Sequence, residues 1–347
     1  MKARYAARLR GLVSCALMLC AAAATAAQGD ASAFAPQPLP AGTLRIWGHP
    51  SFAGVVQRWA EGFRRFHPEI AVVPQLMGSD TAVPGLYGGR ADIALLGREP
   101  NITDENGFLR PKQYRYTLVE PMSGSLDMNA MSAALAVLVH RDNPVRKMTL
   151  RQLERIAGCG GARDEHGTLT WGELGAHGDW ADKPVRLYLI DIESGTGLFL
   201  LSRITHGSRR LAWNRVEDFT DRRRADGSTD RAAEQAAAAL RADRYGIAVS
   251  TLRAATPGLA PVALAAEAGD RFVLPTRESV VDRSYPLARR TYAVVDRAPG
   301  KPVDPKVREF LRYALSREGQ ADIEREPGYL PLFAAVRDAQ MKILDRP

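Results

Sequence analysis

Strand-length apolar runs alternate with longer amphipathic segments along most of the chain, and this alternation restricts the fold more than any other feature. TLRIWG (43–48) has the composition of a strand, and FAGVVQRWAEGFRRF (52–66) carries apolar residues at helical spacing. The runs IAVVPQLM (70–77) and ADIALLG (91–97) repeat the strand pattern. Strands that alternate with helices in this way predict an α/β architecture.

The length of the chain, 347 residues, exceeds what one ordinary hydrophobic core supports and predicts two lobes. Apolar residues make up 46% and charged residues 25% of the sequence, which is typical of a soluble globular protein. The formal net charge is +8, but four of the 47 basic residues lie in the first ten positions. Without that segment the charge is only mildly positive, so we expect no nucleic-acid partner.

The N-terminus has the pattern of a secretory signal peptide. The basic start precedes an apolar run from Leu12 to Ala24, and the run ends in the small residues Ala24-Thr25-Ala26. This predicts a signal peptide over residues 1–26 and a periplasmic location. Residues 27–42 are small, polar and proline-containing, and they predict a disordered leader. Of the three cysteines only Cys159 lies beyond the signal peptide, so we expect no internal disulfide.

Three short loops rich in glycine and serine each follow a strand pattern and precede a helix pattern. They are GHPSF (48–52), GSDT (78–81) and SGTG (194–197). The first N–H groups of a helix have no partner within the helix, and the helix dipole is positive at that end. Such an end binds anions, so the three loops together predict a site for a small oxyanion. Ser, Thr and Asp also cap ordinary helices, so simple capping remains open for each loop.

Other chemistries fit these residues less well. A serine nucleophile in a G-x-S-x-G elbow would need a glycine where Ile192 stands before Ser194. A serine hydrolase using Ser194 nevertheless remains the alternative reading. The chain contains neither a dinucleotide fingerprint nor a P-loop, and no histidine pair has metal-ligand spacing. We therefore expect no cofactor and no metal.

The motifs, taken in order, make the chain similar to periplasmic solute-binding proteins of the phosphate-importer type. The resemblance extends from about Leu44 to Leu332. Its segments are GHPSFAG, MGSDTAVPGLYGGRADIALLGRE, LAVLVHRDNPVRKMTLRQLERIAG, SGT, RYGIAVSTL, YPLARRTYAVV, FLRYALSREGQ and GYLPL. The resemblance implies a two-lobed periplasmic-binding-protein fold (type II) in which two crossing hinge segments join the lobes. The ligand would lie in the cleft between residues 43–141 plus 251–347 and residues 142–250.

The resemblance also implies which residues hold the ligand. Relatives bind dehydrated phosphate through hydroxyl and backbone N–H groups at helix starts. The matching positions in this sequence are Ser51, Phe52, Ser79, Ser194, Gly195 and Thr196. The implied function is capture of a small oxyanion, with phosphate as the first choice, for delivery to the membrane subunits of an ABC importer or for sensing. The protein would be a monomer and would not be an enzyme.

Two positions depart from the pattern of the family. Ile190 stands four residues before Ser194, where related phosphate binders often have an arginine that pairs with the anion, and Gly97 stands where many have Ser or Asp. Arg98 and Asp80 are the candidates to compensate, as a cation and as a proton acceptor. A salt bridge for Arg98 and a helix cap for Asp80 are the competing roles. A different anion, a phosphate ester, or a scaffold without ligand therefore remain open.

Overall fold

The structure is a computed structural model that describes residues 31–126, 132–158, 167–205, 210–326 and 328–346. The predicted signal peptide and Cys159 lie outside these residues. Within the described ranges, no helix combines the length and the apolar character that a membrane crossing needs. The same part of the chain contains no cluster of side chains suited to hold a metal ion.

Two five-stranded sheets organise the chain. The first sheet has the order β2-β1-β3-β14-β4, and its strands are β1 (Gly42–Gly48), β2 (Ile70–Gln75), β3 (Ile93–Leu96), β4 (Thr117–Val119) and β14 (Tyr292–Val295). Strand β1 runs parallel to β2 and β3, whereas β14 is antiparallel to β3 and β4. The three parallel strands therefore end at the same edge of the sheet, where ligands of open α/β sheets collect.

The second sheet has the order β12-β5-β11-β7-β8. Its strands are β5 (Leu135–His140), β7 (Arg186–Ile190), β8 (Val216–Phe219), β11 (Gly246–Thr251) and β12 (Leu259–Pro261). Strand β7 runs parallel to its neighbours β8 and β11. Two small sheets pair β6 (Lys147–Thr149) with β13 (Ala263–Ala265), and β9 (Arg222–Arg223) with β10 (Thr229–Asp230).

Helices flank both sheets and give each its own hydrophobic core. They are α1 (Ala53–Arg64), α2 (Ser79–Tyr87), α3 (Ile102–Lys112), α4 (Leu150–Ala157), α5 (Gly195–Ile204), α6 (Ala232–Ala242), α7 (Arg277–Val281), α8 (Pro305–Leu315), α9 (Arg317–Glu324) and α10 (Ala334–Asp345). Helices α8 and α9 are separated at Ser316, whose side chain accepts a hydrogen bond from the N–H of Gly319 and so caps α9. The α/β prediction and the two-lobed organisation are confirmed.

The predicted boundaries between the lobes do not coincide with the division of the strands between the two sheets. Strand β5 pairs with β11 in the second sheet, although the prediction placed residues up to 141 in the first lobe. Tyr285 and Leu287 also belong to the core of the second sheet, although the prediction placed everything after 250 in the first lobe. The chain thus crosses between the sheets after β4 and again before β14. Pairing between β5 and β11 decides this, and a periodicity argument does not show which strands pair.

Part of the segment predicted as a disordered leader, residues 27–42, packs on the first lobe. Phe34 is buried among aromatic rings of the first lobe, with its ring centroid 5.1 Å from that of Phe66 and 5.3 Å from that of Tyr313. The N–H of Phe34 also donates to the carboxylate of Glu318 at 2.8 Å. The buried ring and this hydrogen bond together hold the segment on the surface of the first lobe.

Candidate anion-binding site

The loop between β7 and α5 is held in place by its own hydrogen bonds. Ser194 caps α5: its Oγ accepts from the N–H groups of Thr196 and Gly197 at 3.1 and 3.3 Å, and it donates to the carbonyl of Asp191 at 2.6 Å. Asp191 adopts the left-handed conformation (φ 49°), which aspartate tolerates better than most residues. The N–H of Gly195 donates to no group in the described part of the chain, so it is free to bind an anion.

An acidic side chain supports the same loop from behind. Both carboxylate oxygens of Asp218, on β8, lie 3.3 Å from the N–H of Ile192. Burial, above all, raises the pKa of Asp218; the Ile192 N–H lowers it, and the negative charges of Asp191 and Glu193 add to the rise. Three acidic side chains therefore lie near the start of α5. An anion bound there needs compensating positive charge.

The loop after β1 already uses its backbone donors. The N–H of Phe52 donates to the carbonyl of His49 at 3.0 Å, and the N–H of Ser51 donates to Nδ1 of the same histidine at 3.2 Å. The Ser51 hydroxyl lies 2.9 Å from both His49 Nδ1 and the hydroxyl of Tyr329. Burial is the main reason that the pKa of His49 is lowered, and burial raises the pKa of Tyr329 to about 12. In this loop the N–H of Phe52, predicted as a ligand donor, is therefore already bonded, and the Ser51 hydroxyl is shared between His49 and Tyr329.

Helix α2 presents free donors at the edge where β1, β2 and β3 end. The hydroxyl of Ser79 is buried and accepts from the N–H of Gly97 at 3.3 Å. The N–H groups of Ser79 and Asp80 have no acceptor among the described residues. Gly78, which precedes the helix, has φ 128° and donates to the carbonyl of Gly48 at 2.9 Å. Only glycine adopts this backbone conformation readily, so Gly78 fixes the loop of α2 against the loop that follows β1.

Arg98 is a buried salt-bridge partner. Its guanidinium donates to Asp104 at 2.5 and 3.1 Å, to Asp80 at 2.6 and 3.2 Å, and to the carbonyl of Glu99 at 3.1 Å. These bonds use all five N–H groups of an arginine. The competing role expected for Arg98, a salt bridge, is therefore the one observed. Asp80 lies in the first turn of α2, and Gly78 rather than Asp80 is the cap residue.

The start of α5 meets the first lobe at Arg98. A Cβ placed on Gly195 would lie 3.0 Å from both Cβ and Cδ of Arg98. Since Arg98 also bonds Asp80, the loops that begin α2 and α5 lie on either side of the same arginine. The structure thus brings Ser79, Asp80 and Arg98 together with Gly195 across the boundary between the lobes.

Arg289 is a residue of this site that the sequence did not reveal. It lies in the second crossing, and its side chain is 2% exposed. Its guanidinium donates to the hydroxyl of Thr196 at 2.8 Å and to the carboxylate of Glu99 at 2.8 Å. The sequence signal was the YPLARR segment, which marked the resemblance but indicated no role for its arginines.

Ile190, which stands where related phosphate binders often have an arginine, makes an apolar contact in the structure. Its side chain is half-buried and packs against the small core that contains Tyr188 and Phe219. The cations near the start of α5 are instead Arg98 and Arg289, and each is already shared with a carboxylate. Of these two cations, Arg98 is the compensating candidate that the sequence named, and Arg289 is one that it did not.

Two sheets, two crossings and a polar site where helix starts face each other define a two-lobed solute-binding protein. Residues 33–318 match a family model described as "PBP superfamily domain". The phosphate-binding protein PstS of Pseudomonas aeruginosa is 32% identical over 308 residues, which cover 87% of this chain and 87% of that protein. The protein SphX of Synechococcus elongatus is 24% identical over 277 residues, covering 79% of this chain and 72% of its own length. The chain belongs to the periplasmic-binding-protein superfamily and, within it, to the family of PstS.

Solved structures show the same fold. PstS from Borrelia burgdorferi superposes with a TM-score of 0.56 at 15% identity, covering 84% of this chain and 98% of its own. An ABC-type phosphate transport receptor from Vibrio cholerae superposes with a TM-score of 0.53 at 19% identity, covering 83% of this chain and 99% of its own. The predicted family and the predicted fold class are confirmed.

Proposed function

We propose that this protein is a periplasmic solute-binding protein that captures orthophosphate between its lobes. It delivers the anion to the membrane subunits of an ABC importer. The single observation that carries the proposal is the set of free N–H groups at Ser79, Asp80 and Gly195, which face the lobe boundary beside Arg98. The relative in Pseudomonas aeruginosa, whose printed name is phosphate-binding protein, supports phosphate as the anion.

The binding energy comes from polar groups that are oriented before the anion arrives. Each free N–H group lies in the first turn of a helix. It therefore offers the anion a hydrogen bond at the positive end of the helix dipole. The hydroxyls of Ser79 and Thr196, which accept from the Gly97 N–H and from Arg289, keep their own hydrogen for the anion. Ser194 acts mainly by holding α5 in register, because its Oγ already caps that helix.

Two arginines that are shared with carboxylates supply the charged contacts for phosphate. Arg98 and Arg289 lie beside the start of α5, and hydrogen bonds to a charged group contribute about 1.5–3 kcal/mol each. Asp80, whose side chain is 90% exposed, can move away from Arg98 and release two of its N–H groups to the ligand. Closure of the lobes on the anion then shields these contacts from water.

The proposal also covers location, assembly and the absence of catalysis. The protein is secreted through the signal peptide, works as a monomer, binds no nucleic acid and catalyses no reaction. A hydrolase using Ser194 is disfavoured by the contacts of that side chain, since its hydroxyl donates to the carbonyl of Asp191. Among the described residues no histidine is bonded to it, and His49 is engaged with Ser51. A nucleophilic serine needs such a base within hydrogen-bonding distance.

Thermal unfolding in the presence of single anions tests the proposal. The purified mature protein is melted with orthophosphate, sulfate, molybdate and phosphonate, each at the same ionic strength. Orthophosphate at a hundredfold excess over its Kd is expected to stabilise the protein by about 2.7 kcal/mol. A melting temperature that orthophosphate does not raise would refute the proposal.

A further inference from the structure

A cavity of about 530 Å³ opens between the lobes beside the middle and the last turn of α5. One wall comes from α5, with Phe199 and Arg203, and another from the segment around Arg271 that follows β13. The second crossing, from Arg283 to Arg290, closes the remaining side. The volume falls in the range that holds organic small molecules, and orthophosphate would fill only a small part of it.

The lining is strongly basic. Five arginines face the cavity, whereas Glu99 and Asp270 are its only acidic lining residues in the described part of the chain; the arginines are Arg203, Arg271, Arg283, Arg289 and Arg290. Two of them, Arg283 and Arg290, share the carboxylate of Glu120. Burial lowers the pKa of Arg283; the Glu120 carboxylate raises it, and the like charge of the neighbouring Arg290 lowers it again.

Two arginines of the lining keep donors available. Arg271 is exposed and takes part in no ion pair with a described residue. Arg203 is also exposed, and the bond found for it in the described chain runs to the carbonyl of Pro286 at 3.1 Å. Guanidinium groups bind carboxylate and phosphate through paired hydrogen bonds. The outer part of the cavity therefore suits an anionic group.

Arg289 connects this cavity with the anion-binding site. Its guanidinium lines the cavity and also donates to the hydroxyl of Thr196 at 2.8 Å. It lies 5.2 Å from the centre of the Phe199 ring, within range of a cation–π contact. Apolar side chains such as Val280 and Tyr285 complete the wall. A ligand that extends from Thr196 into the cavity would meet an apolar surface first and the available arginines beyond it.

We propose that this cavity is a second subsite, and that the protein also binds phosphate esters whose organic part carries a second anionic group. The phosphoryl group would occupy the site at the start of α5, and the second anion would contact Arg203 and Arg271. This inference rests on the proposed function, because it places the phosphoryl group in the same site as orthophosphate.

Two esters that differ in one group give the sharpest test. Isothermal titration calorimetry measures the affinity of the protein for 3-phosphoglycerate and for glycerol 3-phosphate. The first carries a carboxylate where the second carries a hydroxymethyl group. We expect 3-phosphoglycerate to bind at least tenfold more tightly. In the Arg203→Gln/Arg271→Gln variant this difference should fall below threefold. The Arg222→Gln/Arg223→Gln variant, altered on the exposed β9 strand, should keep it. Thermal melting checks that both variants fold.

The outcomes separate this inference from the proposed function. Equal affinities for the two esters in the wild type, or a difference that survives in the Arg203→Gln/Arg271→Gln variant, would overturn the second subsite. Orthophosphate binding without ester binding would also overturn it and would leave the proposed function intact. Ester binding with the expected difference, in a protein that ignores orthophosphate, would support the subsite and refute orthophosphate as the ligand.

Discussion

Replacement of Arg98 by alanine tests whether this arginine is structural as well as ligand-facing. The side chain of Arg98 is 7% exposed, and that of Asp104 is 5% exposed. Their contact distance is 2.5 Å, so the substitution leaves a buried carboxylate without its cation. Asp104 would keep only its role in the capping box of α3, where it accepts from the N–H of Asn101 at 2.9 Å.

The expected cost follows from the burial of the pair. Breaking a buried ion pair by removing one partner costs about 3–5 kcal/mol of unfolding free energy. We expect about 3 kcal/mol, because the bond from Asn101 remains with Asp104. The pairing with Asp80 adds little, since an exposed partner contributes about 0–1 kcal/mol. In Arg98→Ala/Asp104→Asn no charge is left buried, and at least half of the loss should be recovered.

Urea unfolding followed by circular dichroism measures these differences. Arg58→Ala is the matched control, because Arg58 is 42% exposed and pairs with Glu326 at 2.9 Å on the surface. It should lose less than about 1 kcal/mol. A loss below about 1 kcal/mol for Arg98→Ala, or a double variant as unstable as the single one, would refute the assignment of Arg98 as a buried structural cation. Phosphate titration of the folded variant then measures its contribution to binding separately.

Three further substitutions probe the site. Ser194→Ala removes the cap of α5, so we expect a loss of about 1 kcal/mol in urea unfolding and weaker phosphate binding by calorimetry; an unchanged Kd would contradict the site. Asp80→Asn removes an exposed carboxylate near the anion and, with it, about 1 kcal/mol of charge repulsion. We therefore expect roughly fivefold tighter phosphate binding. Weaker binding would instead show that Asp80 accepts the proton of hydrogen phosphate. His49 has a lowered folded-state pKa, so protonation is harder in the folded protein; stability is full above pH 6.5 and is lost as the pH falls below it. The His49→Asn variant keeps an acceptor for the Ser51 N–H. Its unfolding free energy should change less between about pH 7 and pH 5 than that of the wild type. An equal pH dependence in the two proteins would contradict this role of His49.

The sequence predicted those parts of the fold that depend on local pattern. The strand β1 and the helices α1 and α2 were located from apolar periodicity and from the glycine and serine residues between them. The start of α5 was located in the same way. These features depend on residues close together in the chain, where propensity, capping and periodicity act.

The parts that the sequence did not predict depend on distant contacts. Strand β5 pairs with β11 rather than joining the first sheet, and Phe34 binds a pocket built by residues far along the chain. Arg289 reaches Thr196 across 93 positions of sequence. The sequence left a salt bridge as a competing role for Arg98, but its principal partner, the buried Asp104, carries no distinguishing local motif.

A crystal structure of the mature protein grown with orthophosphate tests the central claim most directly. We predict a phosphate between the lobes, within hydrogen-bonding distance of the N–H groups of Ser79, Asp80 and Gly195. Arg98 or Arg289 should contribute at least one charged contact. Phosphate bound elsewhere, or lobes that close at saturating phosphate without an anion at these three groups, would contradict the account.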